Sequence, residues 1–102
     1  MPPVVLVDAE NVRRSRWPNL GGEELARSCR AWAAAAGVEV EVVFEPETGT
    51  ADDVIAARAR DLSDAGIPYW LVSSDRGLRE RAGARAERTI GGGTFLELLG
   101  AR

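Results

Sequence analysis

The sequence lacks three residue types on which many enzymes depend. Its 102 residues contain no histidine, no lysine and no glutamine, so all 13 basic residues are arginine. Without histidine, neither a Ser-His-Asp triad nor a zinc site with histidine ligands can be built. Without lysine, the chain can form no Schiff base and has no P-loop lysine. Carboxylates, hydroxyls, amides and arginine remain for any chemistry.

Cysteine and long apolar runs are also scarce. The single Cys29 allows no internal disulfide and no multi-cysteine metal site, which favours a reducing, cytoplasmic setting. No apolar run approaches the roughly 20 residues of a membrane helix, and the first residues lack a signal-peptide pattern. We therefore expect no membrane association. The length predicts a single domain over residues 1–102.

Short apolar runs alternate with helical stretches, which predicts an α/β fold with a mainly parallel, four-stranded sheet. Val4–Val7 and Tyr69–Val72 are apolar throughout, as expected of central strands that are covered on both faces. The alternating run at 38–44 and the polar run at 85–90 are expected at the edges. With right-handed crossovers, the simplest strand order is 2-1-3-4. The helices are predicted at Gly22–Ala36, 51 to about 65, Gly77–Ala82 and Phe95–Leu99.

Two aspartates follow the apolar runs that are expected to be central. Asp8 comes directly after Val4–Val7, and Asp75 comes shortly after Tyr69–Val72. Both therefore point into the crevice at the carboxyl ends of neighbouring strands, where open α/β sheets bind ligands. Because strands in a sheet lie about 4.8 Å apart, two such carboxylates can share one ion.

Two further acids lie in the first turn of the helix predicted from residue 51. Asp52, or Asp53 beside it, can place another carboxylate at the rim of the crevice, and Asn11 adds an amide near Asp8. Crowded carboxylates repel each other unless a counter-charge is present. Because lysine and histidine are absent, a divalent cation is the natural partner, and oxygen ligands suit Mg²⁺ or Mn²⁺.

Each of these acids also has a structural interpretation. The spacing of Thr50 and Asp53 is that of a capping box at a helix N-terminus. Asp75 can cap the short helix that follows it, and Asp8 can cap a turn. Glu10 is interpreted as a solvated loop acid with at most an indirect role in a site.

Four strings of the sequence carry a resemblance to a known family. They are VDAEN at 7–11, GTADDVI at 49–55, VSSD at 72–75 and GARAERTIGGGTFLELL at 83–99. Together they resemble the NYN domains, and most of all their YacP-like branch within the PIN-like nucleases. The ordered set D-x-x-N, T-A-D-D and S-S-D is more specific than any one of its parts. The resemblance spans nearly the whole chain and implies a PIN-like, three-layer α/β/α fold.

The resemblance also implies a metal-dependent endoribonuclease, which hydrolyses RNA phosphodiester bonds with a metal-activated water. Carried over by position, Asp8 is the first metal acid, Asn11 its polar companion, Asp52 the second acid and Asp75 the third. PIN-like sites often hold a fourth acid, but here Asp75 is followed by Arg76 and a glycine. The chain is also shorter than many relatives. A catalytically weak RNA-binding or partner-binding NYN domain is therefore the alternative.

Arginines flank the predicted crevice in two groups. The candidate RNA-binding residues are Arg13, Arg14, Arg16, Arg76 and Arg79, with Trp17 as a further candidate. These arginines either grip phosphates or form an ordinary solvated surface. Trp17 either stacks on a base or pins its loop to the core. A second copy of the chain or a regulatory protein is compatible as a partner, but no residue pattern indicates one.

Overall fold

The fold alternates strands with helices along nearly the whole chain. A computed structural model describes residues 1–100, so the last two residues of the predicted 1–102 domain lie outside the described residues. In chain order the elements are β1 (Val4–Asp8), α1 (Ala9–Arg13), α2 (Gly22–Ala36), β2 (Glu39–Val43), α3 (Ala51–Asp64), β3 (Tyr69–Val72), α4 (Arg76–Ala82), β4 (Arg88–Ile90) and α5 (Gly92–Leu98).

The four strands form one parallel sheet in the order β2-β1-β3-β4, which confirms the predicted topology. Strands β1 and β3 lie at the centre, and β1 is buried along its whole length. The alternating strand β2 occupies one edge and is half-exposed. Strand β4 forms the other edge and is shorter than expected, because only residues 88–90 pair with β3.

Helices cover both faces of the sheet, which confirms the three-layer arrangement. Successive side chains of a strand point to opposite faces. Val5 and Val7 therefore pack against a core cluster that includes residues of α1, α2 and α5, whereas Val4 and Leu6 pack against residues of α3 and α4. In the first cluster the ring of Trp32 meets Phe95 edge to face at 5.1 Å. Within residues 1–100, no helix has the length and apolar character needed to cross a membrane.

Cys29 belongs to the core rather than to a reactive site. It is fully buried in α2, as its position on the apolar stripe predicts. Burial raises the pKa of the Cys29 thiol to about 11. The thiol is therefore protonated at neutral pH and is a poor nucleophile.

Two helices differ from the prediction, and both lie beside the crevice. The sequence shows no periodic stretch at residues 9–13, because α1 is only five residues long. Helix α5 begins at Gly92 rather than Phe95, although glycine disfavours helices. Gly92 packs so closely against Ser15 and Asn11 that a Cβ atom there would collide with the Ser15 hydroxyl. The close approach of α5 to the end of α1 therefore favours glycine, since any side chain at this position would displace the Ser15 hydroxyl.

Candidate active site

An open cavity of about 550 Å³ lies at the carboxyl end of the sheet. The sequence-predicted residues Asp8, Asn11, Asp52 and Asp75 all line it. The structure therefore brings together side chains from the end of β1, from α1, from the start of α3 and from the position before α4. We call this cavity the acidic pocket. Its other lining residues are Glu10, Arg14, Ser15, Glu45, Ser74 and Gly93.

Asp8 is the most deeply placed acid of the acidic pocket. It ends β1, it is only 6% exposed, and its Oδ2 accepts a hydrogen bond of 2.9 Å from the Ser73 hydroxyl. Burial raises the pKa of Asp8, and the nearby carboxylates of Asp52 and Asp75 raise it further. The Ser73 hydroxyl and the backbone N–H of Asn11 lower it in part. The pocket therefore holds a carboxylate whose charge the fold only partly offsets.

Asp75 has a structural role as well as a place in the acidic pocket. Its Oδ1 accepts a hydrogen bond of 2.8 Å from the backbone N–H of Leu78, which confirms the predicted capping of α4. The backbone N–H of Asp75 donates to the Ser73 hydroxyl oxygen at 3.0 Å. Since that hydroxyl donates to Asp8, the buried Ser73 side chain links the two aspartates.

Asn11 takes part in hydrogen bonds that link chain segments at the rim of the acidic pocket. Its Oδ1 accepts a hydrogen bond of 2.8 Å from the backbone N–H of Ser74. The Ser74 hydroxyl in turn accepts one of 2.9 Å from the backbone N–H of Gly92. These two bonds connect α1, the loop after β3 and the start of α5. The structure therefore gives Asn11 a positioning contact, and its direct part in catalysis stays a prediction.

Asp52 and Asp53 are adjacent in sequence but have different surroundings. Asp52 lines the acidic pocket. Its pKa is raised, mainly by partial burial and next by the charge of Asp75. The backbone N–H of Asp53 donates to the Thr50 hydroxyl at 3.1 Å, which confirms the predicted cap of α3. The exposed Asp53 carboxylate forms an ion pair of 2.9 Å with Arg81 and does not line the pocket.

Glu45 lines the acidic pocket and was missed by sequence reasoning. It follows β2, and its Oε1 accepts a hydrogen bond of 3.2 Å from the backbone N–H of Ala51 at the start of α3. Its charge contributes to the raised pKa of Asp52. The rule that ligand sites lie at the carboxyl ends of strands applies to β2 as well as to β1 and β3, and it could have identified Glu45.

The first arginine group is partly committed to the scaffold. Arg13 pairs with Glu10 at 2.8 Å and donates to the carbonyl oxygen of Leu20. Arg14 is exposed, lines the acidic pocket and contacts the same Glu10 at 3.3 Å. Arg16 lines a shallow depression of about 190 Å³ beside α5. Trp17 is 86% exposed, which excludes the alternative that it pins its loop to the core.

The second arginine group also contains one side chain that is bonded within the protein and one that is exposed. The Nε of Arg79 donates to the carbonyl oxygen of Ser73 at 2.7 Å, so this side chain holds the loop between β3 and α4. Arg76 is 93% exposed and pairs only loosely with Glu80, at 3.5 Å. RNA binding by either residue stays a prediction.

The donor atoms of the acidic pocket suit a hard divalent cation, but no three acids are gathered around one point. Within the described part of the chain, no group of three or more Asp, Glu or Cys side chains could hold a metal ion. In phosphate-handling sites, Mg²⁺ commonly takes one or two carboxylates and keeps several waters. The all-oxygen donor set therefore fits Mg²⁺ or Mn²⁺ in that mode. The choice of Asp8, Asp52 and Asp75 as ligands stays a prediction.

Comparisons with known proteins inform the fold. No protein-family model matches this sequence, and no curated protein matches it. Among solved structures, the fold is similar to the crystal structure of a mutant of Rae1 (YacP) from Bacillus subtilis, with a TM-score of 0.78 and 18% sequence identity. The similarity covers 96% of this chain and 75% of that chain. The chain thus has a YacP-like α/β fold.

Proposed function

We propose that this chain is a metal-dependent endoribonuclease and that RNA phosphodiester hydrolysis takes place in the acidic pocket. One observation carries the proposal: Asp8, Asp52 and Asp75 come from separate parts of the sequence and line the same open cavity. Burial and mutual repulsion raise the pKa values of Asp8 and Asp52. Crowded acids of this kind are typical of functional sites, because a fold gains no stability from them without a counter-charge.

The fold and the motifs support the same proposal independently. The strings around Asp8, Asp52 and Asp75 resemble the YacP-like branch of the NYN domains, which implies a ribonuclease. A solved structure that carries the name YacP is similar to this chain over 96% of its length. Because that likeness alone concerns only the fold, the three acids of the acidic pocket are needed to extend it to an activity.

In the proposed reaction, Asp8 and Asp75 would hold Mg²⁺ or Mn²⁺, and Asp52 would contribute through a water molecule or hold a second ion. When bound, the cation lowers the pKa of water and offsets the charge that develops on the phosphate. Ser73 and the α4 cap keep Asp8 and Asp75 in place, since each of these acids accepts a hydrogen bond from the scaffold. No histidine or lysine is then needed as a general base, which agrees with their absence from the chain.

RNA is the proposed partner, and the protein is proposed to act in the cytoplasm. Arg14 lines the acidic pocket, and Arg76 lies close to it in sequence, next to Asp75, so both suit contacts with phosphates. Trp17 is exposed in the loop after α1, where its ring suits stacking on an unpaired base. The weaker candidates for RNA binding are Arg13, Arg16 and Arg79.

A catalytically weak RNA-binding domain is the second candidate. The absence of a three-acid metal group within residues 1–100 favours it, as does the missing fourth acid after Asp75. This candidate predicts RNA binding without Mn²⁺-dependent cleavage, so a cleavage assay separates the two.

The test compares cleavage of single-stranded and structured RNA in Mn²⁺ by the wild type, Asp8→Asn, Asp75→Asn and Asp53→Asn. Asparagine retains an acceptor oxygen for Ser73 and is itself a good helix cap, so the first two variants should fold. We expect their cleavage to fall by more than the roughly 10- to 100-fold typical of losing an outer partner of a metal site. Asp53→Asn should cleave like the wild type, because Asp53 does not line the pocket.

Equal cleavage by the wild type, Asp8→Asn and Asp75→Asn would mean that the activity does not belong to the acidic pocket. RNA binding with no cleavage by any of the proteins would establish the second candidate instead.

A further inference from the structure

A second cavity lies further along α3 and has the opposite charge. It has a volume of about 220 Å³ and lies between α3 and the segment that includes the end of α4. Three arginines line it, Arg60, Arg81 and Arg85, and we call it the basic pocket. Its remaining lining residues are Ala56, Ala59, Ser63, Tyr69 and Ala84.

The arginines of the basic pocket are poorly neutralised. Arg81 forms an ion pair with Asp53 at 2.9 Å, and both side chains are half-exposed or more. Neither Arg60 nor Arg85 forms an ion pair or a side-chain hydrogen bond with any residue in the 1–100 range. By contrast, Arg58 on the same helix is paired with Glu41 through two nitrogens. Positive charge is therefore concentrated at the basic pocket and only partly balanced by the protein.

Tyr69 adds a hydroxyl group to the otherwise largely apolar surface between the arginines of the basic pocket. Tyr69 is buried, and its hydroxyl donates to the carbonyl oxygen of Ala82 at 2.7 Å, which leaves the hydroxyl oxygen available as an acceptor. Tyr69 and Arg85 line the same cavity. Burial raises the pKa of the Tyr69 hydroxyl, and the charge of Arg85 lowers it in part. The small side chains of Ala56 and Ala59 keep the cavity open between the arginines.

The size and the charge of the cavity indicate its ligand. Sites that enclose a whole drug-sized ligand measure roughly 300 to 1,000 Å³, so the basic pocket suits a single group rather than an entire nucleotide. Guanidinium groups bind phosphate oxygens through paired N–H donors, and several arginines around one cavity are the usual arrangement for an anionic phosphate. An uncharged or cationic ligand would leave Arg60 and Arg85 unpaired.

We infer that the basic pocket binds a phosphate group, and that this phosphate belongs to the RNA strand whose cleavage site lies in the acidic pocket. The inference rests on the proposed function for the identity of the strand. Asp52 and Arg60 lie on α3 about 12 Å apart along the helix axis, at about 1.5 Å per residue, so one chain of a few nucleotides can reach both pockets. The basic pocket thus sets a minimum length for a tightly bound substrate.

The experiment measures binding of single-stranded RNA of increasing length in metal-free buffer, where no cleavage occurs. The proteins are the wild type, the double variant Arg60→Ala/Arg85→Ala, and the control Arg27→Ala/Arg30→Ala. The control arginines lie on α2, on the other face of the sheet, and also form no ion pair within residues 1–100. All four side chains are exposed, so both double variants should fold like the wild type.

We expect the Arg60/Arg85 variant to bind longer RNA about tenfold more weakly or worse, and the control to bind it like the wild type. The slope of log affinity against log salt is negative, and it should become less steep by about 0.7 for each phosphate that the variant no longer neutralises. The advantage of longer RNA over a dinucleotide should also disappear in the Arg60/Arg85 variant. Equal reductions in the two double variants, or no reduction in either, would overturn the inference.

A titration with 5′-mononucleotide and inorganic phosphate distinguishes the source of the phosphate. If the Arg60/Arg85 variant no longer binds mononucleotide but still binds RNA, the pocket takes a free nucleotide and the inference about the strand is overturned.

The cleavage assay tests the proposed nuclease activity separately from phosphate binding in the basic pocket. If the Arg60/Arg85 variant binds RNA more weakly but the wild type shows no Mn²⁺-dependent cleavage, the nuclease proposal is rejected and the phosphate site in the basic pocket is kept. If the wild type cleaves RNA but the variant binds RNA with unchanged affinity, the phosphate site is rejected and the nuclease proposal is kept.

Discussion

The acidic pocket and the basic pocket lie along the same helix, but the fold holds their charges differently. Asp8 and Asp75 are each fixed by a hydrogen bond from an uncharged donor, and the buried Ser73 joins them. Arg60 and Arg85 reach the basic pocket from exposed positions without such anchors. Fixed acids suit chemistry, which needs atoms at set positions, whereas adaptable guanidinium groups suit a grip on a flexible phosphate backbone.

The largest effect is expected when the Ser73 hydroxyl, which links Asp8 to Asp75, is removed. The change Ser73→Ala leaves Asp8 without its hydroxyl donor and leaves the backbone N–H of Asp75 unpaired. We expect the free energy of unfolding to fall by about 1 to 3 kcal/mol, because buried polar groups without partners are costly. Urea denaturation measures it, with Ser28→Ala as a control on α2.

The same variant should also raise the pKa of Asp8, because the Ser73 hydroxyl stabilises the charged form. Titration of the carboxyl carbon by NMR reports this shift. Unchanged stability together with an unchanged titration would mean that Ser73 does not anchor the acids.

A smaller effect is expected from the charge of Asp8 itself. Its pKa is raised in the fold, so the fold favours the protonated acid. Stability from this group is therefore fully present below the unfolded pKa of about 3.9 and is lost as the pH rises through the folded pKa. In metal-free buffer, Asp8→Asn should thus gain stability relative to the wild type as the pH rises from about 4 to 7.

Urea denaturation at several pH values measures this difference, and Asp53→Asn is the matched control, since Asp53 does not line the acidic pocket. A difference that shrinks as the pH rises would show that Asp8 acts as a structural cap and not as a strained acid.

The smallest effect is expected at the pair of Asp53 and Arg81, beside the basic pocket. Both side chains are well exposed, at 64% and 50%, so the pair should contribute only about 0.2 to 1 kcal/mol. A double-mutant cycle of Asp53→Ala and Arg81→Ala measures the coupling. A coupling well above that range would show that the pair fixes the start of α3. Charges beside the basic pocket would then be held in place, as those of the acidic pocket are.

The sheet was predictable because its central strands have a distinct pattern. Val4–Val7 and Tyr69–Val72 are continuous apolar runs, and the connection rules then left one simple order of strands. The placement of Asp8 and Asp75 followed from that order. The early start of α5 was not predictable, since it depends on Gly92 meeting Ser15 and Asn11, which lie far away in the sequence.

The details of the site were harder to predict than its location. The short helix α1 has too few residues to show a helical period, although Asp8 before it and the spacing of Glu10 and Arg13 are typical of a helix. The bond between Ser73 and Asp8 joins chain segments that only the folded sheet brings together. Sequence patterns carry local periodicity, and such long-range contacts have no local signal.

Calorimetric titration with Mn²⁺ shows whether the acidic pocket binds a divalent cation. The wild type and Asp53→Asn should bind Mn²⁺ with the same affinity, and binding should raise their melting temperatures. Asp8→Asn should bind it at least about tenfold more weakly and show little change in melting temperature. Equal Mn²⁺ binding by all three proteins, or none by the wild type, would mean that the acidic pocket is not a cation site.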